Sequence, residues 1–233
     1  MRHGRTCGGG QTCSPGNVAL DASHIVYLGR GALELTSGEP EEAALHLADV
    51  LRATACWQVG RMWTTLTMWD DQIDPKLAEL GLSSPSGRGW ADFLDLYGPG
   101  TAAPEIAEVT GGFHDGELLR RVVDESSRYP TLLVTNDEDM FEQARHRMFT
   151  AEGAGLSSDN STSMMLKVLH CGAVTEDFVK ACLVAEYINL EEMRKRGMST
   201  TKYDAKYRRL SQAGRQLALR RYDDEWNPDQ TGA

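Results

Sequence analysis

Acidic residues placed where an apolar run gives way to a helical pattern carry the chemistry of this chain. Asp21 follows Val18-Ala19-Leu20. Asp70, Asp71 and Asp74 follow the threonine-rich apolar stretch 64–68. Asp115 opens a helical pattern of Leu118, Leu119, Val122 and Val123. Asp137 and Asp139 follow Leu132-Leu133-Val134 across Thr135 and Asn136. A single acid at a helix start is stabilised by the free amides and the helix dipole by about 0.5–2 kcal/mol, and needs no further role. For Asp115 alone, capping is the simpler reading. Carboxylates crowded on one sheet edge repel each other unless a cation sits between them, so convergence of all four places would make a divalent-metal site.

Convergence requires strands that end side by side. The runs 18–20, 64–68 and 132–134 have the length of buried strands, and Thr135-Asn136-Asp137 is turn and cap chemistry. Helices are expected over 41–58, opened by Pro40, over 73–80, stopped by Gly81, from His114 onward, and over 140–148. Residues 82–112 hold most of the mid-chain Ser, Gly and Pro and read as a long loop, or as a short helix between loops. Strands alternating with helices predict a three-layer α/β/α domain with a mainly parallel central sheet over residues 17–150. Such sheets bind ligands outside their carboxyl edge. The Gly-rich residues 1–16 are expected to form a disordered tail, and 151–233 a helical C-terminal extension.

The extension divides the charge of the molecule. The 233-residue chain carries −10, yet residues 194–221 hold ten Lys or Arg against Asp204 alone. That segment is +9 and leaves −19 elsewhere. A basic arm on an acidic body suits a polyanion, with Lys202, Lys206, Arg208 and Arg209 as candidate nucleic-acid contacts; the same arm could instead dock on the body. Tyr203, Tyr207, Leu210, Gly214 and Leu217 follow one helical stripe beside Lys202, Lys206 and Arg209. The tyrosines suit packing on the body or a partner, or stacking on RNA bases. Upstream, residues 161–189 read as two helices broken at Cys171-Gly172, the second capped by Thr175, with methionines as core and a homodimer surface as one use.

Other classes find no support. No apolar run reaches membrane-spanning length, and the N-terminus lacks the apolar segment of a secretory signal. Five cysteines, an odd count without a CxxC pair, point to free thiols and a reducing, cytoplasmic location. The histidines form no HxxxH or HExxH pattern, no serine sits in GxSxG, and the glycines make neither a dinucleotide fingerprint nor a P-loop.

Three segments together resemble the PIN-domain nucleases, a family that includes toxin ribonucleases and RNA-processing enzymes. They are Val18–Val26 with Asp21, Asp115 with Leu118, Leu119 and Val122, and Leu132–Met140 with Asp137 and Asp139. The resemblance implies a PIN-like fold and a metal-dependent endoribonuclease. It also implies that Asp21, Asp115 and Asp137 hold Mg²⁺ or Mn²⁺. Asp139 would assist, as would Asp70 or Asp71, which compete with Asp74 for the acid after the second strand. Thr135 and Asn136 would orient ligand or phosphate, and Glu138 would face solvent. RNA is the implied substrate and an antitoxin-like protein a further partner. The alternative is a catalytically inactive PIN-like module that binds RNA or protein.

Overall fold

The computed structural model describes residues 17–57, 62–84, 90, 105–107, 114–150 and 155–226, with main chain only at 55–57, 105–107 and 219–226. The tail expected over 1–16 lies outside the described residues, as does most of the segment 82–112.

Five described strands form one parallel sheet: β1 (Asn17–Leu20), β2 (Met62–Thr65), β3 (Glu105–Ala107), β4 (Thr131–Val134) and β5 (Leu156–Asp159). Their order is β3-β2-β1-β4-β5, so β1 is central. Val18, Ala19 and Leu20 are buried, as expected of a parallel strand covered on both faces.

The helices are α1 (Ala22–Leu35), α2 (Pro40–Trp57), α3 (Leu66–Met68), α4 (Asp74–Glu79), α5 (His114–Ser126), α6 (Glu138–Met148), α7 (Ser161–His170), α8 (Glu176–Lys195) and α9 (Thr200–Trp226). A π-helical turn, Trp69–Ile73, joins α3 to α4. The fold is thus α/β on a parallel sheet, predominantly helical. Helix α1 packs on α2 and α8, while α5 packs on α6, a division compatible with α/β/α layering.

Four strands run straight into a capped helix. The side chains of Asp21, Thr65, Asp137 and Asn160 accept the first-turn amides of Ser23, Met68, Met140 and Ser163. Four helix N-termini therefore follow directly from the carboxyl ends of neighbouring strands.

Three expectations are corrected. The second strand spans Met62–Thr65 rather than 64–68, because the Thr65 hydroxyl caps the next turn and bends Leu66–Met68 into helix. The segment 82–112 contributes a strand, β3, on the sheet edge. The sheet also runs past residue 150: Leu156–Asp159, assigned above to the helical extension, pairs with β4. The rest of the extension packs on the domain, with Met164 and Met165 in the core as expected. Met164, Met165, Val168, Phe178, Val179, Cys182 and Leu217 belong to the same core cluster as Leu20 and Leu133.

Candidate functional site

The register fixes what meets at the carboxyl edge. Leu20 pairs with Val134, and Val134 with Asp159, so Asp21, Thr135 and Asn160 come next in a row. The ladder continues through them: Asp21 N–H donates to the Val134 carbonyl at 3.1 Å and Thr135 N–H to the Asp159 carbonyl at 3.0 Å.

Asp21, only 3% exposed, is the hub of this row. Its Oδ2 accepts the Thr135 hydroxyl at 2.8 Å, the Ser23 amide at 3.2 Å and the Ser23 hydroxyl. Each hydroxyl then accepts an amide from the β4–α6 turn. Asn136 N–H donates to Ser23 Oγ at 2.8 Å and Asp137 N–H to Thr135 Oγ1 at 2.9 Å. Asn136 Oδ1 in turn accepts Ser161 N–H, 3.0 Å away at the start of α7. Thr135 and Asn136 thus hold the site's geometry. The sequence reading missed Ser23; its signal was the Asp-Ala-Ser spacing, which lets a carboxylate fold onto a hydroxyl two residues ahead.

Burial pushes the Asp21 carboxyl above its ordinary range. The hydrogen bonds from Ser23 and Thr135 oppose that push, and the negative charge of Asp115 adds to it. The third acid of the sequence pattern therefore acts electrostatically on the first. The same helix start meets the second acidic group, for His114 Nε2 lies 3.5 Å from Asp71 Oδ2. Asp70 and Asp71 are exposed. The carboxyl of Asp74 is raised by burial and by the charge of Asp70.

A raised carboxyl in the folded state is a cost once it ionises. That cost is present above the folded-state value and vanishes below the unfolded value of 3.8. Asp21→Asn keeps an acceptor for Ser23 and Thr135 but removes the charge. It is expected to raise the melting temperature at pH 7 without divalent metal by about 2–4 °C, the shift that ~1 kcal/mol gives a protein of this size. The gap should close as pH falls toward 3.8. A variant that melts below wild type at pH 7 would contradict the strain assigned to Asp21.

Asp137 is exposed and caps α6 through Met140 N–H at 2.9 Å. It opens on a cleft of about 340 Å³ lined also by Ser23, Asn136 and Asp139 and by the cations Arg30, Lys76, Lys202 and Lys206. Arg30 and Lys76, not singled out in the sequence, come from α1 and α4. The buried Glu186 of α8 lines the same cleft, 3.8 Å from Arg30, and its carboxyl is raised by burial against the pull of Lys206 and Arg30.

The acidic turn is partly neutralised from within the chain. Arg209 binds Glu138 at 2.7 Å and lies over the Phe141 ring, and Lys202 sits 3.7 Å from Asp139. Glu138 was expected to face solvent; the structure corrects this, since the Arg209 side chain reaches from α9 to the start of α6 and supplies its partner. Docking of the basic arm on the acidic body is therefore seen at Lys202 and Arg209, while Arg208 is exposed.

The donor chemistry fits a hard cation, which takes carboxylate oxygens. A buried carboxylate strained by a second one also favours such a charge. Even so, no group of three His, Cys, Asp or Glu side chains stands at ligand spacing among the described residues. Asp21, Ser23, Thr135 and Asn136 are brought together and Asp115 is coupled to them. Asp137 and Asp139 face the neighbouring cleft. No helix among the described residues is long and apolar enough to cross a membrane. Compared with known proteins, the chain matches no family model, no curated protein and no solved structure.

Proposed function

We propose that the chain is a PIN-like, metal-dependent ribonuclease that hydrolyses RNA phosphodiesters at the carboxyl edge of its sheet. The observation that carries this reading is Asp21: a buried carboxylate at the end of the central strand, tied to the Asp137 turn by two hydroxyls and burdened by the charge of Asp115. Asp21, Asp115 and Asp137 are the residues that would hold Mg²⁺ or Mn²⁺, with Asp139 and Asp70 or Asp71 assisting. The cation would supply a polarised water and neutralise charge at the phosphorus. Thr135 and Ser23 keep Asp21 oriented. Lys202, Lys206 and Arg30 line the adjoining cleft and offer positive charge to the flanking phosphates.

A second reading is a catalytically inactive PIN-like module that binds RNA or protein. It is favoured by the absence of a three-ligand group among the described residues and by the capping roles of Asp21 and Asp137. Cleavage of single-stranded RNA in Mn²⁺ separates the two. Wild type is expected to cleave, and Asp137→Asn to lose about 100-fold or more, equivalent to ~2.7 kcal/mol of barrier. Equal rates, or no cleavage by either protein, would leave the binding module standing.

A further inference from the structure

The hairpin of α8 and α9 carries an aromatic surface that the edge site does not use. The rings of Tyr203 and Tyr207 lie nearly parallel, 10° apart with centroids 5.9 Å from each other. Tyr187, from α8, is tilted against Tyr207 at 6.3 Å. The Arg194 guanidinium sits 5.4 Å from the Tyr203 centroid. Tyr203 is held in place, because its hydroxyl donates to Glu191, which also accepts Arg194 Nη2 at 2.7 Å and Nε at 3.1 Å. The column thus has a fixed end at Arg194 and an open end, where Tyr187 and Tyr207 are 46% and 45% exposed.

The geometry points to a stacking platform for the bases of single-stranded RNA, formed by Tyr187, Tyr207 and Tyr203. Every base offers a π-face to an aromatic ring, whereas bases in a duplex are already stacked on each other. Charge chooses the partner. The segment 194–221 that bears Tyr203 and Tyr207 holds ten Lys or Arg against one acid. A second copy seated on these rings across a twofold axis would set that charge against itself, while a polyanion is drawn to it. Val184 and Ile188 beside Tyr187 are also exposed and widen the apolar floor. Lys202, Lys206 and Glu186, the chain neighbours of Tyr203, Tyr207 and Tyr187, line the edge cleft, so the rings and the cleft are built on the same two helices. The inference rests on the RNA reading above and adds to it a second contact for the strand, made by ring stacking outside the edge site.

The test is fluorescence anisotropy of a labelled oligouridylate with the full chain in EDTA, where binding is read without cleavage. Tyr187→Ala and Tyr207→Ala are each expected to weaken single-strand binding about tenfold, while Tyr207→Phe stays within about twofold of wild type. Binding of a labelled RNA duplex should change in none of them. The platform is overturned if wild type does not bind the single strand, if the alanine variants bind as wild type does, or if the phenylalanine variant fails with them. A wild-type dimer in sedimentation that Tyr207→Ala dissociates would overturn it in favour of a self-association surface. Tyrosine-dependent binding with no Mn²⁺ cleavage would remove the nuclease and leave the platform. Cleavage unaffected by the alanine variants, together with unchanged binding, would do the reverse.

Discussion

Gly31→Ala is expected to destabilise the protein by about 2–3 kcal/mol, read as a lower urea midpoint. A Cβ at Gly31 would lie 2.1 Å from Cys182 Sγ and 3.0 Å from Cys182 Cα. The sulfur can rotate; the backbone of α8 cannot move without parting from α1. Alanine also favours a helix over glycine by about 1 kcal/mol, so the expected loss is what remains after that gain. Cys182 is fully buried, and burial pushes its thiol up, so Sγ has no solvent to turn into. Gly31→Ala combined with Cys182→Ala should recover part of the loss, since the contact to the α8 backbone persists. A single variant as stable as wild type would mean that the two helices do not approach this closely. The effect should reach the cleft as well, because Arg30 and Glu186 sit one residue and four residues from this contact.

What the sequence made legible follows from how local each signal is. Val18-Ala19-Leu20 and Leu132-Leu133-Val134 are apolar runs with acids behind them, and both are strands ending at the site. β5 reads Leu-Ser-Ser-Asp, with one apolar residue and only its two ends buried, too short and too polar for periodicity to register. β3 has three residues on an edge. Thr64 and Thr65 looked like strand continuing to 68, but a threonine hydroxyl serves equally well as a cap, and here capping won. In the site, the positions of Asp21 and Asp137 were readable from their strands. The hydroxyl links through Ser23 and Thr135 join segments more than 110 residues apart in the chain, and no local pattern encodes them. The same holds for Arg209 and Glu138, 71 residues apart, whose pairing turns a residue read as solvent-facing into a docking point.

His24 should make the protein sensitive to acid. The ring is fully buried in α1, Nδ1 is 2.9 Å from the Ser161 hydroxyl at the start of α7, and Nε2 has no hydrogen-bond partner among the described residues. Burial lowers its pKa from 6.5 to about 3, so the folded protein keeps the ring neutral long after the unfolded chain has taken up a proton. The sign follows from proton counts. Between about 6.5 and about 3 the unfolded state binds more protons, so stability falls as pH falls through that window. The slope is up to about 1.4 kcal/mol per pH unit, or roughly 2 kcal/mol lost by pH 5. Asp21 works the other way, since its raised carboxyl relieves a cost when it protonates. Urea unfolding of wild type and His24→Gln at several pH values between 7 and 5 separates the two groups. The glutamine can still meet the Ser161 hydroxyl and does not titrate, so its profile should be flatter by about one proton, whatever its stability at pH 7. Parallel profiles would show that His24 is not the group responsible.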